Sequence, residues 1–477
     1  MVFSSLLFVF LFLALNILSQ YLLRSIRAKN IAMLLFSLVF YSWAGPRYLL
    51  LLLADVAICW YSALRIERAN THSRKKTELI LGVGAVLVIL GIFKYTGFFM
   101  ENLRLFTGFP EIIPQIVLPI GISFYTFQLI SYVVDVYRGE VEAQRKYWIL
   151  LLYASLFHQC IAGPIVRYSD VCEDIMQRRT TPEEISRGIT RFTVGLAKKA
   201  LLANSCAVVA DTFLAKSSAE LAAVPAAGLW LGGLAFMLQI YLDFSAYSDM
   251  AIGMGLMCGF HYRENFNYPY AADSVTDFWR RWHISLSSFF RDYVYIPLGG
   301  NRCGKTRQIA NLLAVWFLTG LWHGASWNYV MWGLYFFIFL VLEKFVLAPI
   351  LPKIPAVLRH LMLLVIVYFC WILFKFSDFA SLITVLRGLF GGNGNPAGSL
   401  AVQLSFKGNW LLLLVSAAAT LPLGKKLREW LCQLSQKGGA AAALYNAWEI
   451  LHPVLLLLLA AMALAGNSYN PFLYYQF

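Results

Sequence analysis

The sequence predicts an all-α, polytopic membrane protein, and three observations carry that prediction. Of its 477 residues, 60% are hydrophobic and only 13% are charged, about half the charged fraction of a soluble domain. The apolar surplus recurs in blocks of about 20 residues, the length a helix needs to cross a bilayer. Lipid offers no partners to backbone N–H and C=O groups, so such blocks cross as helices.

Apolar runs near 2–23, 31–44, 48–64, 78–97, 147–163, 188–214, 226–258, 308–324, 326–348, 356–375, 409–424 and 443–465 predict about eleven or twelve spans. In the first run, Arg24, Arg27 and Lys29 follow the apolar residues and no charge precedes them. A cleaved secretory signal has the reverse order. The run therefore reads as an uncleaved span with its N-terminus outside. The charged connectors Arg65 to Lys76 and Lys425 to Lys437 read as loops. Lys425, Lys426 and Arg428 place the second of these in the cytoplasm, so the last span carries NSYNPFLYYQF outward. Two stretches, 112–136 and 275–300, are apolar but interrupted by Pro, Gly and polar residues. Such segments survive at membrane depth when buried in protein or lining a cavity, and they mark where a site is sought.

The net charge of +14 is explained by basic loops retained on the cytoplasmic side, and nucleic acid is not called for. Eight Cys occur without a CxxC pair. Cys59, Cys160, Cys206, Cys258 and Cys370 sit in apolar runs as small hydrophobes, so neither a disulfide framework nor a metal site is predicted. With no repeat and no low-complexity linker, residues 1–477 read as one membrane-embedded domain.

Seven His occur, and two stand out. His323 lies in FLTGLWHGASWNYVMWGLYFF between two apolar spans, and an ionisable residue there is functional by default. Gly320 and Gly324 flank it without side-chain bulk, which predicts room for a substrate. The bland alternative is a His that bonds a neighbouring helix. His283 lies in TDFWRRWHISLSSFFRDYVYIPLGGNR. On a helix, Arg280, His283, Ser287 and Arg291 form one polar stripe, opposite Phe278, Trp282, Leu286, Phe289 and Tyr293. This is either an interfacial helix with snorkelling basic residues or a cavity wall suited to an anionic thioester. The following loop carries Asn301, Arg302, Lys305 and Arg307 among three glycines. It is a phosphate-contact candidate, but its spacing is not a Walker motif, and it also reads as a positive-inside loop. In QIYLDFSAYSDMAIGMG, Asp243 and Asp249 are intramembrane carboxylates that need cations, for which Arg280, Arg281 and Arg291 are the candidates; they can be pure scaffold.

Taken together, WRRWHISLSSFFRDYVYIPLGGNR and LTGLWHGASWNYVMWG, with about 40 residues between their histidines, resemble the membrane-bound O-acyltransferase (MBOAT) family. LPIGISFYTFQLISYVVDVYRG at 118–139, IAGPIVRY at 161–168 and YLDFSAYSDMAIGMG extend the resemblance over most of 30–350. The nearer branch is bacterial and serves alginate O-acetylation, peptidoglycan O-acetylation and teichoic acid D-alanylation. The resemblance implies the MBOAT fold, with about 11–12 spans plus re-entrant or interfacial helices around a central tunnel and a core motif region at 118–345. It implies His323 as the catalytic His and His283 as its partner. Arg280, Ser287, Arg291, Asn301, Arg302, Trp322 and Asn328 become candidates for binding the donor. The Pro-Leu-Gly-Gly-Asn-Arg form is more similar to the alginate type, which favours acetyl-CoA as donor substrate with no bound cofactor. The aromatic motif at 472–477 resembles a terminal motif of the acetylating branch in which Tyr474 would carry the acyl group; the alternative is an interfacial aromatic belt.

These readings predict an O-acetyltransferase of the bacterial inner membrane. It would take acetyl from cytoplasmic acetyl-CoA and pass it through an extracytoplasmic acetyltransferase partner to a polysaccharide. The rivals are a D-alanyl or longer-acyl transferase of the same family, a transporter, and a scaffold that only recruits the partner.

Overall fold

The computed structural model describes residues 1–43, 45–109, 116–160, 163–436, 438–466 and 469–470. Their regular elements are helices, and no strand occurs among them. In chain order the principal ones are α1 (Phe8–Leu22), α2 (Ile26–Ser42), α3 (Arg47–Arg68), α4 (His72–Thr107), α5 (Ile122–Arg138), α6 (Tyr147–Ser155), α7 (Tyr168–Gln177), α8 (Pro182–Leu214) and α9 (Ala226–Cys258). There follow α10 (Val275–Arg281), α11 (Ile284–Phe290), α12 (Lys305–His323), α13 (Trp327–Leu347), α14 (Ala356–Lys375), α15 (Phe379–Leu389), α16 (Leu400–Ala419), α17 (Leu423–Ser435) and α18 (Gly439–Gly466).

Eight of these are long and apolar enough to cross a membrane: α3, α4, α8, α9, α13, α14, α16 and α18. The count is lower than the number of apolar runs for identifiable reasons. Helices α1 and α2 are shorter than a full span, α2 having 17 residues. Among its described residues, the run 147–163 is helical over only nine. It then turns through Leu156 and Phe157, which are fully buried. An apolar run that is enclosed by protein need not be a span.

Both charged connectors are mostly helical, which corrects the loop readings. Arg65 and Arg68 lie in the last turn of α3, and α4 restarts at His72 under a Thr71 cap that accepts from the Arg74 N–H. Residues 425–435 lie in α17. Leu423, Leu427 and Trp430 are exposed on it, and Arg428 pairs with Glu449 at 2.7 Å. Charge density marks these segments as outside the hydrocarbon but does not forbid helix, because Lys, Arg and Glu are good helix formers.

The chain forms two compact units. The first comprises Met1–Phe192, Met250–Glu264 and Ser288–Leu298. Phe3, Phe8, Phe12, Phe40 and Phe157 cluster in its core through stacked, tilted and edge-on ring contacts. Buried Arg178 is fully engaged there: it donates to the Cys258 carbonyl and the Gln20 amide oxygen, both at 3.0 Å, and to Asn30, while lying over the Phe260 ring. Helix α5 takes up the second part of the stretch 112–136 that read as interrupted, of which 112–115 lie outside the described residues; it is bracketed by Gly121 and Gly139, each at φ 76°, a left-handed conformation that glycine adopts without strain. It is buried nearly all round, Ser123, Thr126, Gln128, Ser131 and Asp135 included.

The second unit comprises Thr193–Asp249, Asn265–Ser287 and Gly299–Phe477. Its core is aromatic: Trp282, Trp332 and Trp371 are almost fully enclosed, with Phe278, Phe336 and Phe374 packed among them. Helices α12 and α13 approach at glycine. A Cβ on Gly333 would stand 2.2 Å from the Trp316 carbonyl oxygen, and one on Gly320 would stand 2.4 Å from that of Tyr329.

Candidate active site

His323 is the last residue of α12 and is 5% exposed. Its ring is walled by Trp332 at 4.7 Å, Trp322 at 4.8 Å and Phe374 at 5.4 Å between centroids. The flanking glycines do not open space for a substrate, as their lack of bulk suggested. A Cβ on Gly324 would lie 2.3 Å from the Tyr329 ring, and Gly320 is closed by the Tyr329 and Val330 backbone. Their smallness is spent on helix packing, which fixes the end of α12 and hence His323.

His283 is 1% exposed and belongs to the same unit. The continuous polar stripe expected on a helix is not formed. The helix breaks between α10 and α11, and His283 sits there at φ 44°, a left-handed conformation uncommon for a residue with a Cβ. Asn265 shapes this turn. Its carbonyl accepts from the Ile284 N–H at 2.9 Å. Its side-chain oxygen accepts from the Ser285 N–H at 3.2 Å and the Ser285 hydroxyl at 2.8 Å, while its NH₂ donates to Ser248 at 3.1 Å. At the other end of α10, the N–H groups of Val275 and Thr276 donate to the Glu343 carboxylate at 2.7 and 3.1 Å, so an anion completes the helix N-terminus. Strained backbone held by several bonds is a recurrent feature of functional sites.

Trp322 joins the two histidines: its indole packs on His323 and lies 5.8 Å from His283. Asn328, at the start of α13, is 1% exposed, with its side-chain amide toward the hydroxyl of neighbouring Tyr329.

The remaining candidates are spread out. Arg280 is exposed. The Ser287 hydroxyl points at the Trp282 carbonyl, 3.5 Å away. Asn301 and Arg302 lie on an exposed loop, where Lys344 donates to Asn301 at 2.6 Å. Arg291 falls in the first unit and pairs with its neighbour Asp292 at 2.7 Å. Tyr474 lies outside the described residues. The intramembrane carboxylates meet lysines: Asp243 meets Lys199 at 2.8 Å, and Asp249 meets Lys198 at 2.5 Å. Both lysines begin a π-helical turn, Lys198–Ala203, inside α8. The sequence reading missed them, along with Asn265 and Glu343. Two adjacent lysines within an apolar run were the available signal.

The site thus holds a buried His walled by aromatics and a second buried His one indole away, within a polytopic helical protein. Residues 146–385 match the model of the membrane-bound O-acyltransferase family. The chain is similar to the probable alginate O-acetylase of Pseudomonas putida, at 37% identity over the whole of both chains. It is also similar to that of Pseudomonas aeruginosa, at 41% identity over 79% of this chain and 72% of the relative. To the peptidoglycan O-acetyltransferase of Helicobacter pylori it is 34% identical, over 83% of this chain and 80% of that one. The chain belongs to the membrane-bound O-acyltransferase family and is a multi-pass membrane acyltransferase, as the motif resemblance implied.

Proposed function

We propose that this acyltransferase moves an acetyl group from cytoplasmic acetyl-CoA, through Tyr474, to an extracytoplasmic acetyltransferase partner that O-acetylates a polysaccharide. The observation that supports it best is the seating of His323, an imidazole in a nearly water-free aromatic box at the end of α12. The relatives named for O-acetylation of alginate and peptidoglycan point the same way.

In this reading, His323 takes the proton of the Tyr474 hydroxyl as the phenolic oxygen attacks the thioester carbonyl. Imidazole is the usual general base for such a step. The C–O bond forms and the tetrahedral intermediate collapses. The C–S bond breaks, and the CoA thiolate leaves with the proton held by the imidazolium. His283, one indole away, serves in this reading as a donor to the developing oxyanion, a contribution of about 2.7–4 kcal/mol where single donors have been removed from other enzymes. Buried Asn328 offers a second polar contact. Arg280, Asn301 and Arg302 are exposed groups for the phosphates of CoA. Transfer from Tyr474 to the partner regenerates the phenol. The basic clusters at Arg24–Lys29 and Lys425–Arg428 face the cytoplasm of the inner membrane, and both termini lie outside. Release of CoA by the purified protein, with mass spectrometry of the C-terminal peptide, tests the reading: an acetyl adduct on Tyr474 that is lost in His323→Ala supports it, and turnover without an adduct removes the relay.

A further inference from the structure

Asp211 on α8 holds two other parts of the second unit at one carboxylate. Its Oδ1 accepts from Lys375 Nζ at 2.9 Å, at the last residue of α14. Its Oδ2 accepts from the hydroxyl of Tyr469, three residues past the end of α18. The next residue, Asn470, accepts through its side-chain oxygen from Asn204 at 3.1 Å. Asn204 and Asp211 are seven positions apart, two turns along one face of the helix. Residues 469 and 470 are therefore laid against a single face of α8 by two side-chain bonds.

Two features separate this from ordinary packing. An ion pair with Lys375 would already satisfy the charge of Asp211, yet its second oxygen is given to a residue that precedes Tyr474 by five positions. The anchor is also linked to the candidate site through adjacent residues of α14. Lys375 is fixed from the other side by the Phe236 ring, 5.0 Å away. Its chain neighbour Phe374 packs on His323 at 5.4 Å. From Asn470, four residues of chain span at most about 14 Å, whereas eight residues counted from Gly466 span at most about 28 Å. Halving a tether raises the local concentration of its end about threefold, and a fixed origin adds direction.

We propose that Asp211 is a positioning residue: by binding Tyr469 beside the Asn204–Asn470 contact, it docks the C-terminal segment on α8 and delivers Tyr474 to His323. This rests on the relay reading above, and the experiment separates the two. Full-length protein in nanodiscs is mixed with acetyl-CoA, and the adduct on Tyr474 is followed by mass spectrometry. In parallel, carboxypeptidase trimming of the C-terminus reports docking without any chemistry. Tyr469→Phe keeps the Asp211–Lys375 pair and removes one hydroxyl. It should slow adduct formation at saturating acetyl-CoA by up to about threefold, the Asn204–Asn470 bond remaining, leave the KM for acetyl-CoA unchanged and speed trimming. Asp211→Asn should do the same, and Asp211→Glu should restore part of both. Tyr474→Phe should abolish the adduct and trim like the wild type. A wild-type rate of adduct formation in Tyr469→Phe, or unchanged trimming, overturns the proposal. If the wild type forms no adduct, the delivery role falls with the relay, and the trimming comparison alone decides whether the segment docks.

Discussion

Replacing Gly320 by Ala is a small change with a calculable consequence. The new Cβ would stand 2.4 Å from the Tyr329 carbonyl oxygen and 3.1 Å from the Val330 Cα. Ordinary carbon–oxygen contacts begin near 3.3 Å, so α12 and α13 must part locally by close to 1 Å. Neither opposing atom belongs to a flexible side chain, and the strain falls on the backbone three residues before His323. Overpacking of this kind costs about 1–3 kcal/mol, against which Ala returns up to about 1 kcal/mol of helix propensity. Gly91→Ala, at a position in α4 with nothing within 4 Å, should gain that propensity alone. The two variants thus isolate the packing cost. A shift of about 1 Å in a catalytic group lowers turnover by about a hundredfold. The assays are CoA release and thermal unfolding in one detergent. Gly320→Ala with wild-type turnover, and with the stability of Gly91→Ala, would refute the claim that this helix contact sets the position of His323.

Other perturbations follow from the same geometry. Lys199→Met strips a buried cation from Asp243, which is 0% exposed. It should destabilise by about 3–5 kcal/mol, and Lys199→Met with Asp243→Asn should recover most of this in thermal unfolding; a double variant no better than the singles would contradict it. His283→Gly should unfold about 1 kcal/mol later than His283→Ala, because glycine accepts φ 44° without a Cβ penalty, while both lower CoA release. In the first unit, Glu184 at 2.9 Å and Asp174 at 3.2 Å raise the pKa of His261 above its ordinary value, against the opposing effect of burial. A raised folded pKa stabilises fully below about pH 6.5 and loses that contribution as pH climbs through the folded value. The stability difference between wild type and His261→Gln should therefore shrink with rising pH, and a difference that grows would reverse the assignment.

Much of this arrangement is legible in the sequence, because a bilayer imposes a 20-residue apolar period and because two dense motifs flank the candidate histidines. What escaped is tertiary. Charge content marked 425–437 as extramembranous but could not distinguish a loop from α17. Spacing drew His283 onto a helical stripe, whereas Asn265, 18 positions earlier, holds it at a left-handed break. The glycines flanking His323 read as access for a substrate, whereas across the interface Gly320 meets backbone atoms of α13 and Gly324 meets the Tyr329 ring. The lysine partners of Asp243 and Asp249 lie 44 and 51 residues upstream, a pairing that local pattern does not encode.

The central claim is that His323 is the base for acyl transfer, and release of CoA from acetyl-CoA by purified protein tests it most directly. The account predicts that His323→Ala, folded and inserted like the wild type, loses turnover by about a hundredfold or more and forms no adduct on Tyr474. Equal CoA release by wild type and His323→Ala would contradict the account and return the transport and scaffold readings to the front.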